Sequence, residues 1–276
     1  MIMFPRRQLV VFSDLDGTLL DHDTYSFDDA RPALERLGHA GVPLVLCTSK
    51  TRAEVEPLRA ALDNDSPFIV ENGGAIMIPD GYFSVAIDDA ARDRSEGMLV
   101  VPLGDSYETL VAALARASRD SGVRVRGFAD MTDAEVADAT GLSLDQARLA
   151  RRRDFDEPFE IIDADRADAL LAAIEREGKR WTAGGRFHHI TGATDKAAAV
   201  RRVAELYRRE AGAVTTVGVG DAPNDAELLG IVDIPIVMAS GLAEEIVRLV
   251  PRATVTRVPG PAGWNEAMLV LLDSWP

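Results

Sequence analysis

The chain of 276 residues is long enough for one large domain or two smaller ones, and its 47% hydrophobic residues are ample for a core. The formal net charge of -15 repels polyanions, which argues against nonspecific binding to nucleic acid or to an anionic membrane surface. Small anionic substrates stay possible, because exposed charges are largely screened beyond roughly 8 Å at physiological salt.

The cysteine content and the N-terminus bear on the compartment. Cys47 is the single cysteine, which leaves no partner for an internal disulfide and favours a reducing compartment. Residues 1–17 include basic side chains but only a short apolar run, which supports neither a signal peptide nor a membrane span. We therefore expect a cytoplasmic protein, monomeric or homodimeric, with no membrane partner.

The first part of the chain alternates short apolar runs with helical patterns, as in a parallel β-α-β sheet. The predicted elements are a strand at 9–13, a helix at 28–40, a strand at 43–48, a helix at 52–62 and strands at 68–72 and 75–78. Gly73 and Gly74 mark a turn between the last two strands. We expect these two strands to pair as a hairpin.

From about Tyr82 the connections become longer and a second set of elements begins. It comprises a strand at 98–103, a helix at 106–121, a strand at 123–128, two short helices ending by Arg153, a strand at 158–162 and a helix at 165–177. The β-α-β pattern then returns with a helix at 195–211, a strand at 215–219, a short helix after Pro223, a strand at 234–238, a helix at 242–249, a strand near 253–256 and a helix from about Ala262. This order predicts an α/β fold: a Rossmann-like parallel sheet core, 1–82 and 188–276, with an inserted α/β domain, 83–187.

Polar residues directly follow several of the predicted strands. In an open parallel sheet, ligands bind beyond the carboxyl ends of the strands. The residues at those ends are Asp14 and Asp16, then Thr48, Ser49 and Lys50, then Glu71 and Asn72, and finally the loop 220–225, with Lys196 opening the preceding helix. Each alone is explained as a turn residue, a helix cap or a surface lysine. Together, at one edge of the sheet, they predict an active site.

The charge of this set points to a metal and a phosphate. Several carboxylates at one strand edge repel one another unless a divalent cation lies among them, and an all-oxygen site with room for water suits Mg²⁺. A phosphate ester at that site needs further cations and hydroxyl donors, which Lys196 and Thr48 supply. One aspartate can then attack phosphorus while a second acid protonates the leaving oxygen.

The same residues resemble the four ordered motifs of the haloacid dehalogenase superfamily of phosphatases. The matching segments are Asp14-Leu15-Asp16-Gly17-Thr18, Thr48, Lys196 and 220–225. The resemblance implies that Asp14 is the nucleophile that forms an aspartyl-phosphate and that Asp16 is the general acid and then the base. It also implies that Thr48 and Lys196 bind the phosphoryl oxygens. The implied Mg²⁺ site comprises Asp14, Asp16 through its main-chain carbonyl, and Asp221, with Asn224 and Asp225 as direct or supporting ligands.

The inserted unit lies between the Thr48 and Lys196 motifs, where this superfamily places a large α/β cap domain for substrate specificity. Within the superfamily the chain looks most like mannosyl-3-phosphoglycerate phosphatases. The segments that carry this resemblance are 48–52, 70–74, 127–132, 153–159, 184–189 and 259–261. It implies a small phosphorylated sugar-glycerate as substrate and mannosylglycerate as product, and the sequence does not separate mannosyl from glucosyl substrates.

A phosphoglycerate carries a carboxylate beside its phosphate, and its sugar offers hydroxyl groups, so the site needs a cation and polar side chains. The substrate-binding candidates are Ser49, Lys50, Asn72, Asp130, Thr132, Arg153, Arg186 and His188. Two of these choices have plain alternatives. The run 151–153 is typical of a solvated helix end, and only one of His188 and His189 can face the cleft if they alternate along a strand. No His and Cys spacing supports a zinc site.

Two other functions use the same motifs. A phosphomutase, for instance a phosphomannomutase, would retain Asp14 and Asp16 but return the phosphoryl group to a rotated sugar bisphosphate. A noncatalytic sugar-phosphate binding protein would have no use for both acids. The segments of the inserted unit favour hydrolysis.

Overall fold

The computed structural model describes residues 8–88, 91–93, 97–184 and 187–275. The strands are β1 (Gln8–Ser13), β2 (Leu44–Cys47), β3 (Phe68–Val70), β4 (Ala75–Pro79), β5 (Ala91–Asp93), β6 (Met98–Pro102), β7 (Val125–Gly127), β8 (Asp156–Ile161), β9 (Arg180–Gly184), β10 (Phe187–Thr191), β11 (Val214–Gly220), β12 (Ile234–Val237) and β13 (Thr254–Val255). The helices are α1 (Arg31–His39), α2 (Arg52–Ala61), α3 (Tyr107–Ser121), α4 (Asp133–Thr140), α5 (Leu144–Ala150), α6 (Ala167–Arg176), α7 (Lys196–Ala211), α8 (Ala226–Ile231), α9 (Ala243–Leu249) and α10 (Gly260–Ser274).

The larger sheet forms the core. Within the described ranges it holds nine strands in the order β13-β12-β11-β1-β2-β3-β4-β6-β5. The strands from β13 to β3 are parallel, whereas β4, β6 and β5 add in antiparallel fashion. The hairpin of β3 and β4 confirms the predicted pairing.

Helices cover both faces of this sheet because its central strands are apolar on both sides. Val10 and Phe12 of β1 belong to one buried cluster, together with residues of α7, α8 and α9. Leu9 and Val11 point to the other face and pack with residues of α1, α2 and α10, including the fully buried Trp264. A strand buried on both faces between helices is the signature of a parallel α/β sheet. The predicted Rossmann-like core is confirmed.

The smaller sheet belongs to the inserted unit, which we call the cap. In the part of the chain that the structure describes, it has the antiparallel order β7-β8-β10-β9. Helices α3 and α6 cover one face around Phe159 and Ile190. Helices α4 and α5 form a separate cluster with Phe128 and Phe187. The cap is therefore an α/β layer, as the sequence predicts.

Three strands differ from the prediction. The strand predicted at 98–103 for the second unit is β6, which pairs with β4 in the core sheet, where Val101 packs with Ile76 and Ile78. This pairing covers an edge that β4 would otherwise expose. Strands β5 and β9 have no counterpart in the prediction because they are short and rich in polar residues. The domain limits themselves stay a prediction.

The sheet order decides where the polar loops meet. Strands β11, β1, β2 and β3 are adjacent and parallel, so their carboxyl ends lie side by side. Backbone bonds tie these ends together: Asp14 N–H donates to the Val219 carbonyl at 2.9 Å, and Asn72 N–H donates to the Thr48 carbonyl at 3.0 Å. Among the described residues, no helix has both the length and the apolar character that crossing a bilayer requires.

Candidate active site

Lys196 is the centre of the candidate site. It is the first residue of α7, and its Nζ donates to Asp14 Oδ1 at 2.6 Å and to Asp225 Oδ1 at 2.7 Å. All three side chains are buried. Burial alone would lower the pKa of Lys196, but the two carboxylates outweigh it and raise the pKa well above its usual range. The lysine is therefore a fixed positive charge.

One lysine does not neutralise the acids around it. Ligand atoms of Asp14, Asp221 and Asp225 lie within 4.8 Å of one another. Burial, with the neighbouring acids Asp225 and Asp221, raises the pKa of Asp14 well above its usual value against the effect of Lys196. Burial and Asp225 likewise raise the pKa of Asp221 to about 6. Three close carboxylates with an all-oxygen donor set form a group that can hold a hard divalent cation.

Two glycines allow the acids to approach so closely. Gly17 has a φ of 75°, and a Cβ there would lie 2.6 Å from Asp221 Oδ2. A Cβ at Gly220 would lie 2.5 Å from the Cβ of Asp225. Since any larger residue would push these carboxylates apart, the glycines set the spacing of the acidic group.

Asp225 differs from the other two acids because both of its oxygens have protein partners. Oδ1 accepts from Lys196, and Oδ2 accepts from the backbone amides of Asp221 and Ala222, each at 3.2 Å. The carboxylate therefore closes the loop after β11 and fixes Lys196. The neighbouring Asn224 is half-buried.

Asp16, two residues after Asp14, pairs with Lys50. Lys50 Nζ lies 2.8 Å from Asp16 Oδ2 and 4.9 Å from the centroid of the Tyr25 ring. Burial lowers the pKa of Lys50, but Asp16 and Glu54 more than compensate and raise it. Asp16 Oδ1 is buried and has no hydrogen-bond partner among the described residues. A cation therefore lies at Asp16, whose second carboxylate oxygen has no hydrogen-bond partner among the described residues.

The loop after β2 carries the other predicted core residues. Thr48 is buried, and its Oγ1 accepts from the backbone amide of Lys50 at 3.1 Å. The carbonyl of Ser49 accepts from Arg153 Nη1 of the cap at 3.1 Å. This bond connects the cap directly to the loop that contains the candidate phosphate-binding residue.

A second polar cluster lies where the cap meets the core, and we call it the Asp156 cluster: Asn72, Arg153, Asp156 and His189. The fully buried carboxylate of Asp156 accepts from Asn72 Nδ2 at 2.8 Å and lies 3.1 Å from Arg153 Nη1 and 2.8 Å from His189 Nδ1. Burial would raise the pKa of Asp156, but His189 and Arg153 lower it overall. The carboxylate is thus ionised and held from three sides.

In the structure, the surroundings of Arg153 and His188 differ from those expected for substrate-binding residues. Arg153 does not end in solvent: its side chain is only 6% exposed and is committed to Asp156 and to backbone carbonyls. The strand alternation holds, but it is His189 that faces the Asp156 cluster. His188 faces the opposite side, with the Phe159 ring 5.7 Å away between centroids.

Two further cap candidates, Thr132 and Asp130, make bonds within the cap. Thr132 is exposed and uses its hydroxyl to cap α4 with Glu135. Asp130 is also exposed, and its Oδ2 accepts from the backbone amide of Gly127 at 3.4 Å. Arg186 lies outside the described residues. The structure therefore brings together the core candidates and separates most of those from the cap.

A cavity of about 680 Å³ lies between cap and core. Its lining includes Asn72, Lys196 and Asn224 from the core and Arg180, Trp181 and Thr182 from β9. The sequence analysis missed β9, and with it Arg180 and Trp181. It also missed Asp156, the first residue of β8, and His189, for which alone the alternation along β10 is an available signal. Another cavity, of about 730 Å³, lies at the ends of α1 and α2 and contains none of the candidate residues.

The chain is similar to known proteins over most of its length. A family model described as haloacid dehalogenase-like hydrolase matches residues 11–88. A glucosyl-3-phosphoglycerate/mannosyl-3-phosphoglycerate phosphatase of Methanococcoides burtonii is 40% identical over 266 residues, 95% of this chain and 97% of the relative. A protein of the same name from Persephonella marina is 41% identical over 270 residues, 96% of this chain and 97% of the relative.

Solved structures agree on the fold. A phosphatase of the haloalkanoate enzyme superfamily from Bacteroides thetaiotaomicron superposes with a TM-score of 0.66 at 18% identity, covering 99% of this chain and 98% of the other. A subclass IIB sugar phosphatase of that superfamily gives a TM-score of 0.66 at 18% identity and covers 96% and 99%.

A parallel sheet that collects a lysine and three acids at its carboxyl edge, under an inserted α/β cap, defines a phosphoryl-transfer enzyme of the hydrolase class. The chain belongs to the haloacid dehalogenase-like hydrolases, and it is a phosphatase. The predicted family and fold class are confirmed.

Glu71 gives a test of the electrostatics at the junction of cap and core. Its buried carboxylate accepts from the amides of Asp154 and Phe155, and burial, opposed by Arg153, raises its pKa from 4.5 to about 8. The free energy of unfolding therefore falls as pH rises from 4.5 towards the pKa of the folded state, by at most about 1.4 kcal/mol per pH unit. We expect Glu71→Gln to gain stability relative to wild type between pH 5 and 8. Urea unfolding over this range measures it.

The control is Glu108→Gln, at an exposed position of α3. Its difference in unfolding free energy from wild type should not change with pH in this way. If the difference in unfolding free energy between Glu71→Gln and wild type is likewise independent of pH, the raised pKa of Glu71 is contradicted.

Proposed function

We propose that the protein removes the phosphate from a glycosyl-3-phosphoglycerate, mannosyl or glucosyl, through a covalent intermediate on Asp14. The observation that carries the proposal is the pairing of Asp14 with Lys196 in one group with Asp221 and Asp225, with Asp16 two residues further along the chain. The substrate class is supported by the names of two relatives that match nearly the whole chain, each of which includes both sugars.

In the first step an oxygen of Asp14 attacks phosphorus and the bond between phosphorus and the glycerate oxygen breaks. Asp16 gives its proton to that leaving oxygen, which departs as the free hydroxyl. Lys196 is fixed 2.6 Å from Asp14 and stabilises the negative phosphoryl oxygens as they approach. Thr48 adds a hydroxyl donor at the end of β2.

In the second step a water molecule attacks the phosphorus of the aspartyl-phosphate. Asp16, now ionised, takes the proton of that water, and the bond from phosphorus to Asp14 breaks to release inorganic phosphate. Asp14 and Asp16 thus have separate roles, and both are restored at the end of the cycle.

The acidic group fits Mg²⁺. Asp14 and Asp221, with the main-chain carbonyl of Asp16, would hold the ion, while Asp225, with both oxygens engaged, supports Lys196 and the loop. When bound, the ion would supply positive charge to the phosphate and to these crowded carboxylates, where burial and the neighbouring acids raise the pKa values of Asp14 and Asp221.

Lys50 is the cation best placed for the substrate carboxylate. It lies 2.8 Å from Asp16, the residue that serves the ester oxygen, and the carboxylate of a 3-phosphoglycerate is two carbons from that oxygen. Its side chain is 16% exposed, whereas Arg153 is committed to Asp156. Recognition of the glycerate by Lys50 gives the enzyme its preference for an acidic phosphate ester.

The first prediction concerns Asp14→Asn. We expect kcat to fall by about a thousandfold or more, because the amide keeps the shape but removes the nucleophile. Phosphate release with a glycosyl-3-phosphoglycerate measures the loss. Asp23→Asn, at an exposed position nearby, is the matched control and should keep normal activity. Substantial turnover by Asp14→Asn would exclude the covalent route.

The second prediction concerns the metal. Activity should vanish in excess chelator, return with Mg²⁺ and be inhibited by Ca²⁺, which takes more ligands at longer distances and disturbs the in-line geometry. Mg²⁺ should also raise the thermal unfolding temperature of wild type and not of Asp221→Asn. Full activity with chelator, or an equal thermal shift in both proteins, would refute the site.

The third prediction compares two substrates for Lys50→Met. The substrates are the glycosyl-3-phosphoglycerate and the same ester with its carboxylate reduced to an alcohol, so the leaving oxygen is alike. We expect kcat/KM to fall about tenfold to a hundredfold on the acid, since a charged hydrogen bond is worth about 1.5 to 3 kcal/mol, and to change little on the alcohol.

Lys179→Met is the control, because Lys179 pairs with Asp105 in the cap. It should leave both kinetic constants unchanged. If Lys50→Met lowers kcat/KM equally on both substrates, Lys50 acts through Asp16 and does not bind the substrate carboxylate.

A further inference from the structure

We propose that Asn72 recognises a hydroxyl group of the substrate through its Oδ1 atom, and that Asp156 is the positioning residue that fixes the orientation of the Asn72 amide. The inference rests on the proposed function and deepens it by assigning the hydroxyl recognition to a core residue held by the cap.

The orientation of the amide follows from its partner. Asp156 is fully buried and ionised, so it only accepts hydrogen bonds, and the atom of Asn72 that lies 2.8 Å from it must be the donor Nδ2. A flipped amide would set Oδ1 against a carboxylate. Arg153 and His189 hold Asp156 from the other sides, so the carboxylate cannot turn away.

Oδ1 of Asn72 is left without a partner. Asn72 is 4% exposed, and no described residue donates to its Oδ1. A buried acceptor of this kind is unfavourable unless a donor reaches it. Asn72 is one of the residues that line the cavity between cap and core, as is Lys196. A group that enters this cavity is therefore the donor that we assign to Oδ1.

The chemistry of the acceptor selects the ligand group. Phosphate and carboxylate oxygens only accept, and an amide oxygen repels them. A hydroxyl group donates, and glycosyl-3-phosphoglycerates carry several. The ammonium of Lys196 is already shared between Asp14 and Asp225, so it does not compete for this position.

The backbone holds Asn72 at a fixed place relative to the phosphate-binding residues. Glu71 and Asn72 both have positive φ values, 49° and 56°. Gly73 follows with a φ of 91°, and a Cβ there would lie 2.2 Å from the carbonyl oxygen of Asp195, the residue before Lys196. The loop is thus wedged between Thr48, whose carbonyl accepts from Asn72 N–H, and the start of α7.

The test uses Asn72→Gly, because glycine adopts the left-handed backbone of this position without strain. The substrates are the parent glycosyl-3-phosphoglycerate, a series in which single sugar hydroxyls are replaced by hydrogen, and p-nitrophenyl phosphate. We expect wild type to prefer the parent over one deoxy analogue by about threefold to tenfold, the range for one neutral hydrogen bond. Asn72→Gly should lose that preference, and its loss of kcat/KM relative to wild type should be larger on the parent than on p-nitrophenyl phosphate, which has no sugar hydroxyl.

Asn64→Gly is the matched control. Asn64 also donates through Nδ2 and has a buried Oδ1 without a partner among the described residues, but it lines the other cavity. It should retain the wild-type preference. The inference is overturned if Asn72→Gly keeps this preference, or if its kcat/KM falls equally on all substrates. It is also overturned if wild type hydrolyses the parent and every deoxy analogue equally well.

Asp156→Asn tests the positioning role. An amide at 156 donates as well as accepts, so Asn72 can flip, and the same hydroxyl preference should be lost. The double variant should lose no more than Asn72→Gly alone, because the two residues act through one atom. Additive losses would show that Asp156 acts elsewhere. If wild type does not hydrolyse the parent, the proposed function fails, and the same variants and deoxy analogues are then compared on the hydroxylated phosphate ester that it does hydrolyse.

Discussion

The crowding of carboxylates around Lys196 is the constraint on which the rest of the molecule depends. Asp14, Asp221 and Asp225 come from two strands, and the fold must hold them within 4.8 Å although they repel one another. Lys196 offsets part of that repulsion through bonds to two of the three acids. The remaining negative charge makes the site attract a cation and, with it, a phosphate. In the proposed mechanism, catalysis and metal binding therefore depend on the same excess of negative charge.

The cap contacts this core at a second group of charged side chains, the Asp156 cluster. Asp156 begins β8 and is bound by Asn72 from the core and by Arg153, which also reaches the Ser49 carbonyl. Both contacted loops lie beside the acidic group. Cap and core are thus connected through polar residues of the loops after β2 and β3. In the proposed function, this connection positions the groups that recognise the leaving part of the substrate relative to the groups that cleave it.

The sequence predicted the core well, because strands buried on both faces leave continuous apolar runs and because the residues that follow them are polar. It predicted the acidic group because the acidic residues directly follow the predicted strands in the chain. It could not predict the Asp156 cluster, since Asn72 and Asp156 meet only through tertiary packing, 84 positions apart. Alternation along β10 shows that His188 and His189 lie on opposite faces of the sheet, but it does not show which face the helices cover. The sequence therefore led to His188 and not to His189. Strand β9 was not predicted because its apolar residues, Trp181 and Ala183, are few and separated by polar ones.

The central claim is that Asp14, held by Lys196, becomes covalently phosphorylated. The most direct test mixes the enzyme with Mg²⁺ and a glycosyl-3-phosphoglycerate labelled with ³²P, quenches the reaction in acid within the first turnover and maps the label by peptide mass spectrometry. The account predicts an acid-stable, alkali-labile acyl phosphate on the peptide that contains Asp14. Rapid substrate cleavage with no labelled enzyme, or with label on another residue, would contradict it.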